Sequence, residues 1–181
     1  MKKLRSIIVI VVCVGLCVGY YFYLSHRNDS KDKEPTEIEQ LVNKDLEHSY
    51  PSTAREVIRL YNRMLLALYG GEISQNEMEE LGRQARKLFD EELLLQNPED
   101  SYFLNLAGEL KEYDEADKKI ISVTVSTSNE VEYREVQGRE CAYVESSYYV
   151  KGEKESERSI QTYILRKDTE GNWKILGVYQ P

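Results

Sequence analysis

The strongest pattern along the chain is an apolar run of 18 residues, from Ile7 to Leu24, that contains no charged side chain. The basic segment 1–6 precedes it. Because an α-helix rises 1.5 Å per residue, a helix of this length spans about 27 Å, close to the hydrocarbon thickness of a bilayer. The pattern predicts a single transmembrane anchor over residues 7–24, embedded in the lipid bilayer. Three tyrosines near its end would form an aromatic belt at one membrane interface: Tyr20, Tyr21 and Tyr23.

A cleaved signal peptide is the alternative for this segment, with Cys17 and Gly19 as the small residues of a cleavage site. The apolar run continues past that site to Leu24, which favours a retained anchor. Basic residues are balanced on its two sides, but those before it crowd directly against the apolar run. This favours a cytoplasmic N-terminus and a single-pass plasma-membrane protein with its domain outside. Gly15 and Gly19 form a G-x-x-x-G pair that would let two such helices dimerise, although glycine is common in transmembrane helices generally.

The polar residues 25–35 follow as a tether, and residues 36–181 carry the patterns of one α+β domain. Apolar residues recur at spacings of three and four over 36–115, which indicates helices. Two Ser/Thr-x-x-Glu capping boxes, at Thr36 and at Ser74, mark helix starts. Helices are therefore predicted from Thr36 to about His48, from Ser52 to Tyr69, from Ser74 to before Pro98, and from Asp100 or Ser101 through Tyr113.

Over residues 118–181 the period changes to strict alternation, as at Ile121, Val123 and Val125, which is typical of strands. Short turn sequences separate successive runs, so antiparallel pairing is expected. The predicted fold class is α+β: an N-terminal transmembrane helix, then three or four helices packed on a curved antiparallel sheet of four or five strands. The further strands are expected at Glu130–Val136, Glu140–Val150, Ser159–Arg166 and Trp173–Tyr179.

Charge and cysteine content exclude several classes of function. Residues 28–181 contain 20 basic and 32 acidic side chains, a net charge of −12. Nucleic-acid binding is not expected, because phosphate contacts need clustered Lys and Arg. Cys141 is the single cysteine beyond the anchor, so neither an internal disulfide nor a cysteine zinc site is expected. The acidic group Asp114, Glu115 and Asp117 lacks the spacing of a cation-binding loop, and no metal or cofactor is predicted.

The closing segment 171–178, Gly-Asn-Trp-Lys-Ile-Leu-Gly-Val, follows helices and long Tyr- and Val-rich strands. In this arrangement residues 52–181 resemble the nuclear-transport-factor-2-like, or cystatin-like, cone fold. An N-terminal span joined to such a domain is similar to uncharacterised bacterial membrane-anchored proteins of that group. The resemblance implies a cone fold. It implies no single function, since the group includes isomerases, dehydratases, binding modules and assembly subunits.

Glu145 is the one catalytic candidate. A carboxylate buried among tyrosines would have a raised pKa and could act as a general base. Strand alternation instead places Glu145 on the less apolar face, where it would point to solvent and pair with a cross-strand Lys or Arg. His48, the only histidine within residues 36–181, is expected at a helix end as a solvated residue rather than as a base.

The sequence therefore favours a non-catalytic, membrane-anchored extracytoplasmic module of the bacterial cell envelope. It would bind a ligand or envelope protein partners, form a homodimer, or serve as an assembly subunit. The alternative is a small-molecule enzyme or carrier of the isomerase or dehydratase type, which would use an inward carboxylate and a tyrosine in the cone cavity. A cavity that contains Glu145 or another buried acid would favour the alternative, and a cone filled with Leu, Val and Tyr side chains would exclude it.

Overall fold

A computed structural model describes residues 35–153 and 155–180, and its elements belong to one compact unit, Glu37–Pro181. Five helices come first and five strands follow. The helices are α1 (Glu37–Val42), α2 (Ala54–Tyr69), α3 (Gln75–Arg86), α4 (Glu91–Gln96) and α5 (Glu99–Glu115). The strands are β1 (Lys119–Val125), β2 (Glu132–Val136), β3 (Arg139–Lys151), β4 (Ser156–Lys167) and β5 (Trp173–Tyr179).

All five strands form one antiparallel sheet around β3, which is 13 residues long. The order is β1-β3-β4-β5, and β2 also pairs with β3. Along one edge of β3, β1 pairs with its second half and β2 with its first half. The successive strands β1 and β2 therefore do not pair with each other, although the short link between them suggested a hairpin. A true hairpin joins β2 to β3, where Gln137 and Gly138 both have positive φ angles, as a type I′ turn requires.

The core lies between the helices and one face of the sheet. From α2 it includes Val57, Ile58 and Met64, all fully buried, and from β3 it includes Ala142 and Val144, also fully buried. Alternation along β3 explains the second pair, because every other residue from Ala142 to Val150 is buried. The spacing of three and four between apolar residues explains in the same way which residues of α2 are buried. The mixed α+β architecture thus comes from two periodicities that meet at one interface.

The transmembrane helix expected over residues 7–24, with its aromatic belt and its Gly15–Gly19 contact, falls outside the described residues. Within 35–153 and 155–180, no helix is long and apolar enough to cross a membrane. The longest described helix, α5, has 17 residues and carries charged side chains along its length, whereas a spanning helix needs about 20 mostly apolar residues. This finding contradicts two predictions: the fold class with a spanning helix, and the single-pass plasma-membrane location with the N-terminus in the cytoplasm. The described fold is a mixed α+β domain.

The described residues contain five helices rather than the three or four expected, because one predicted helix is divided in two. The first predicted helix is also shorter than its apolar pattern. α1 ends at Val42 rather than near His48. Beyond it, the Asp45 carboxylate accepts hydrogen bonds from the backbone amides of Glu47 and His48, both at 3.0 Å. Such local side-chain bonds offer the backbone an alternative to the helix.

The predicted third helix is divided into α3 and α4 by residues 87–90. The backbone of this segment pairs with β5: the Ile175 amide donates to the Leu88 carbonyl, and the Asp90 amide donates to the Ile175 carbonyl, both at 2.8 Å. Asp90 then caps α4, since its carboxylate accepts from the Glu92 amide at 3.0 Å. A contact with a strand distant in sequence thus interrupts a helix that its local pattern would continue.

Candidate functional site

A cavity of about 780 Å³ lies between the sheet and helices α2, α4 and α5. Its walls combine aliphatic side chains with an unusual number of aromatic rings. The exposed side chains Asn105, Glu109 and Glu112 lie at its mouth, on the α5 side. Seven of its lining residues are aromatic: Tyr61, Tyr69, Phe89, Tyr102, Tyr113, Tyr148 and Tyr163.

The rings contact one another edge to face rather than in stacks. Tyr61 is central, with ring centroids 5.7 Å from Tyr163 and 5.8 Å from Phe89. Phe89 continues to Tyr102 at 6.0 Å, and Tyr69 lies 4.9 Å from Tyr113. Because an edge-to-face pair is stabilised by the ring quadrupoles, these contacts fix the orientation of each ring. The aromatic wall is therefore a packed, preformed surface.

A chain of hydrogen bonds runs from the core to the cavity wall. Asn62 and Ser146 are 1% and 0% exposed, and the Asn62 amide donates to the Ser146 hydroxyl at 2.8 Å. The Tyr148 hydroxyl donates to the Asn62 carbonyl oxygen at 2.5 Å and lies 2.6 Å from the Tyr163 hydroxyl. The Tyr163 hydroxyl is in turn 3.0 Å from the Gln161 carbonyl oxygen. Each polar side chain in this network of hydrogen bonds therefore has a partner.

The number of hydroxyl protons requires the hydrogen bonds along this network to run in one donor-to-acceptor direction. Each tyrosine hydroxyl has a single proton, so Tyr148 and Tyr163 cannot both donate outward and still share a proton. In one arrangement Tyr163 donates to Tyr148, and the Gln161 amide turns its NH₂ group toward Tyr163. In the reverse arrangement Asn62 donates to Tyr148, the Ser146 hydroxyl donates to Asn62, and each tyrosine donates toward the cavity. A ligand that accepts from or donates to Gln161 would select between them.

Five tyrosine hydroxyls around the cavity have pKa values raised by burial, so they are protonated at neutral pH. Burial raises the pKa of Tyr102 to about 12 and raises the pKa values of Tyr61, Tyr148 and Tyr163 further. For Tyr69, burial and the hydrogen bond to a carboxylate both raise the pKa. These groups therefore serve as hydrogen-bond donors and acceptors and as apolar surface, and none is a ready general base.

Carboxylates set the charge at the mouth of the cavity. The Tyr69 hydroxyl donates a hydrogen bond to the Glu109 carboxylate at 2.7 Å, and Glu112 lies one turn further along α5. Among the described residues that line the cavity, no Lys, Arg or His occurs. The nearest guanidinium that contacts the wall is that of Arg86, which lies 5.1 Å from the centre of the Tyr102 ring and donates to the Asn97 carbonyl at 2.8 Å. The cavity is thus aromatic inside and acidic at its entrance.

The structure places the residues predicted from the sequence away from this cavity. Glu145 is exposed on β3, opposite Thr162, on the sheet face that does not line the cavity. No ion pair within 35–153 and 155–180 includes Glu145, so the expected cross-strand Lys or Arg partner is not seen there. The His48 side chain is 82% exposed and lies 2.8 Å from Asp45.

Sequence reasoning missed Asn62, Glu109 and Glu112. Asn62 gave a signal, because it interrupts the apolar face of α2 and a polar residue in such a position needs a buried partner. The carboxylates of α5 gave none, since nothing in the sequence distinguishes Glu109 and Glu112 from the neighbouring acids Asp114 and Glu115. In the part of the chain that the structure describes, no group of three or more His, Cys, Asp or Glu side chains could hold a metal ion.

The chain belongs to the family defined by a domain of unknown function, DUF6715, which matches residues 1–178. A comparison with curated proteins finds no match.

Proposed function

We propose that this member of a family without an assigned function is a small-molecule-binding module whose ligand occupies the aromatic cavity. The observation that carries the proposal is the cavity itself, about 780 Å³ in volume and lined by seven aromatic residues. Ligand sites in proteins have volumes of about 300–1,000 Å³ and are mostly apolar and aromatic, with a few placed polar groups. Gln161, Asn105 and the tyrosine hydroxyls supply such groups here.

The proposed scaffold is the nuclear-transport-factor-2-like cone. Helices that come before an antiparallel sheet, and a cavity between the two layers, support this assignment. In such a scaffold the sheet and the helices hold the site rigidly, so a ligand meets walls that are already in place. Binding rather than chemistry is favoured because the described lining contains no histidine and both of its carboxylates are exposed.

Blocking the cavity tests the proposal. Ser159 is half-buried on β4 and lines the cavity, so Ser159→Trp would fill it. Thr162 is half-buried on the same strand but faces the other side of the sheet, which makes Thr162→Trp the matched control. The probe is N-phenyl-1-naphthylamine, an uncharged dye that fluoresces in apolar sites.

We expect the full-length protein and Thr162→Trp to bind the dye with similar dissociation constants, and Ser159→Trp to bind it at least about tenfold more weakly. Circular dichroism of each variant verifies the fold. Leu93→Trp, which fills the cavity from α4, repeats the test from another wall. Equal dye binding by all variants would show that the dye does not enter this cavity and would refute the proposal.

Catalysis is a second candidate, favoured by the Tyr69–Glu109 pair. If the Tyr69 hydroxyl turns from Glu109 to a ligand carbonyl oxygen, it can donate its hydrogen bond there while the freed Glu109 carboxylate accepts a proton from the adjacent carbon. Exchange of the methyl hydrogens of acetophenone in D₂O tests this. Exchange above the buffer rate that is lost in Glu109→Gln, with dye binding kept, would support catalysis. Exchange at the buffer rate would contradict it.

A further inference from the structure

Resting on the proposed function, we propose that the ligand is an amphipathic organic cation, with an apolar body inside the aromatic cavity and an ammonium group at the mouth, beside Glu109 and Glu112. Three features of the described residues carry this inference: the sign of the charge at the mouth, the absence of intramolecular neutralisation there, and the chemistry of the walls.

The first feature is the arrangement of the two carboxylates. Glu109 and Glu112 are three residues apart on α5, and helix residues at this spacing have Cβ atoms about 5–6 Å apart on one face. Both are exposed and line the cavity, so their charges face whatever occupies its entrance. With no basic side chain among the described lining residues, the entrance attracts a cation and repels an anion.

The second feature is that neither carboxylate is neutralised by the protein. Lys111, the basic residue of α5, pairs with Glu115 at 3.6 Å instead. Glu109 accepts one hydrogen bond, from Tyr69 through Oε2, and no ion pair within residues 35–153 and 155–180 involves Glu109 or Glu112. Surface carboxylates are often solvated in this way, so these two indicate a ligand only because they border an aromatic cavity.

The third feature is the wall behind them. Aromatic faces attract ammonium groups through the ring quadrupole, and sets of such rings are the usual means of recognising quaternary ammonium ligands. Tyr69 and Tyr113 line the cavity beside the carboxylates, with centroids 4.9 Å apart, and Tyr102 lines it from the same helix as Glu109. The rings and aliphatic side chains deeper inside suit an apolar body. A bare metal ion would gain little from an aromatic and aliphatic wall, and an uncharged ligand would gain little from the two carboxylates.

The charge of the whole domain acts in the same direction. Residues 28–181 carry a net charge of −12, which raises the local concentration of cations and lowers that of anions at any entrance without basic residues. The Arg86 guanidinium lies over the Tyr102 ring and donates to the Asn97 carbonyl, and Arg86 does not line the cavity.

Two probes of the same shape test the proposal. Benzyltrimethylammonium is a cation, and neopentylbenzene is its uncharged isostere, with carbon in place of nitrogen. Each displaces N-phenyl-1-naphthylamine from the full-length protein in a competition titration. We expect the cation to bind about tenfold more tightly than the isostere, although the isostere is the more apolar of the two. Raising the salt from about 10 to about 150 mM should weaken only the cation, because the Debye length falls from about 30 to about 8 Å.

Substitution at the mouth locates the charge effect. In Glu109→Gln/Glu112→Gln we expect cation affinity to fall about tenfold while the affinity for the isostere changes less than about threefold. Asp114→Asn is the control, an exposed carboxylate of the same helix that does not line the cavity, and should change neither.

The outcomes separate this proposal from the one beneath it. If the dye binds and Ser159→Trp blocks it, but the cation has no advantage or the double variant keeps it, the cation proposal is refuted and the binding function stands. If the cation binds equally well to Ser159→Trp and to the wild type, its site lies elsewhere and both proposals fail. An effect of Asp114→Asn equal to that of the double variant also refutes this mouth as the cation site.

Discussion

Asn62 shows what one side chain does in this domain. It lies on the buried face of α2, between the fully buried Ile58 and Met64, and is itself only 1% exposed although its side chain is polar. Its amide holds the Ser146 hydroxyl and the Tyr148 hydroxyl, so it links α2 to β3 and supports the aromatic wall. In a low-dielectric core such a bond specifies position, because the polar groups have no other partner of equal quality.

We predict that Asn62→Leu destabilises the protein by about 2–4 kcal/mol, since it leaves the Ser146 and Tyr148 hydroxyls without their buried partner. Urea denaturation followed by circular dichroism measures the loss. Tyr148→Phe removes one of the stranded hydroxyls, so the double variant should lose less stability than the sum of the two single variants. Simple additivity, or a loss under about 0.5 kcal/mol in Asn62→Leu, would show that the network contributes little.

Asp90 joins α4 and β4 through a single carboxylate. It caps α4, and its oxygens accept from Arg166 of β4 at 2.5 and 3.1 Å, with the two side chains 4% and 17% exposed. Partial burial opposes ionisation, but the hydrogen bonds from Arg166 and the Glu92 amide outweigh it and hold the pKa of Asp90 below its usual value. A carboxyl group of this kind adds stability above its unfolded pKa, and the contribution disappears as the pH falls through the folded pKa.

We predict that Asp90→Asn costs about 2–4 kcal/mol at pH 7, because the cap remains but a mostly buried Arg166 loses its counter-ion. The difference from wild type should begin to shrink below about pH 4, the ordinary pKa of an aspartate in the unfolded chain, and disappear as the pH falls through the lower pKa of folded Asp90. Denaturation at several pH values measures both effects. Glu92→Gln is the control: this side chain is 56% exposed and 3.2 Å from Arg166, so its loss should be under about 1 kcal/mol. A difference independent of pH would contradict the ion-pair explanation.

At the scale of elements, the contact between α3 and α5 depends on a missing side chain. A Cβ atom on Gly82 would lie 2.5 Å from the Phe103 ring and 3.3 Å from the Tyr102 ring. Phe103 and Tyr102 are themselves in edge-to-face contact, with centroids 5.3 Å apart, and Tyr102 lines the cavity. The position of one cavity wall therefore depends on how closely α5 approaches α3.

We predict that Gly82→Ala destabilises the domain by about 1–3 kcal/mol, because overpacking outweighs the gain in helix propensity. Gly108→Ala is the matched control, since Gly108 also lies within a helix and a Cβ there meets no atom within 4 Å. It should stabilise by about 0.5–1 kcal/mol. Thermal or urea denaturation compares them, and dye affinity reports movement of Tyr102. Stabilisation of both variants would mean that α3 and α5 are not this close.

Elements were predictable where a local pattern and a tertiary partner agree. The alternation in 140–150, the apolar spacing from Ser52 to Tyr69 and the capping box at Ser74 located β3, α2 and the start of α3 closely. The break between α3 and α4 was not predictable, because its cause is the backbone pairing of Leu88 and Asp90 with Ile175, far away in sequence. The arrangement of β1 and β2 along the same edge of β3 depends in the same way on pairing partners that no local pattern specifies.

At the scale of the whole molecule, binding and stability are linked through the cavity. A ligand that binds the folded protein alone stabilises it by RT ln(1 + [L]/Kd). We predict that N-phenyl-1-naphthylamine at about 100 times its dissociation constant raises the free energy of unfolding by about 2.7 kcal/mol. Denaturation with and without the dye measures this shift, which Thr162→Trp should retain and Ser159→Trp should lose. An unchanged denaturation midpoint in the wild type would show that the dye has no site in the folded cavity.

Several expectations at this scale stay predictions. They include envelope protein partners, a homodimer, an assembly role, and the absence of nucleic acid and cofactors among the ligands. The acidic charge supports the exclusion of nucleic acid, because a domain with a net charge of −12 over residues 28–181 would repel a phosphate backbone. The family to which the chain belongs does not decide among these functions.

The sequence by itself determined the two periodicities, the acidic charge and the exclusion of an internal disulfide within 28–181, since each depends on residue identity and local order alone. It also placed Glu145 on the solvent side of β3 by alternation. The tertiary structure decided where the helices break, which strands are neighbours and that a cavity remains between the layers. It brought Glu109 and Glu112 of α5 to the mouth of a cavity whose rings come from α2, α5, β3, β4 and the segment before α4. Such a site is a product of packing, because its members are separated by up to a hundred residues and share no local pattern.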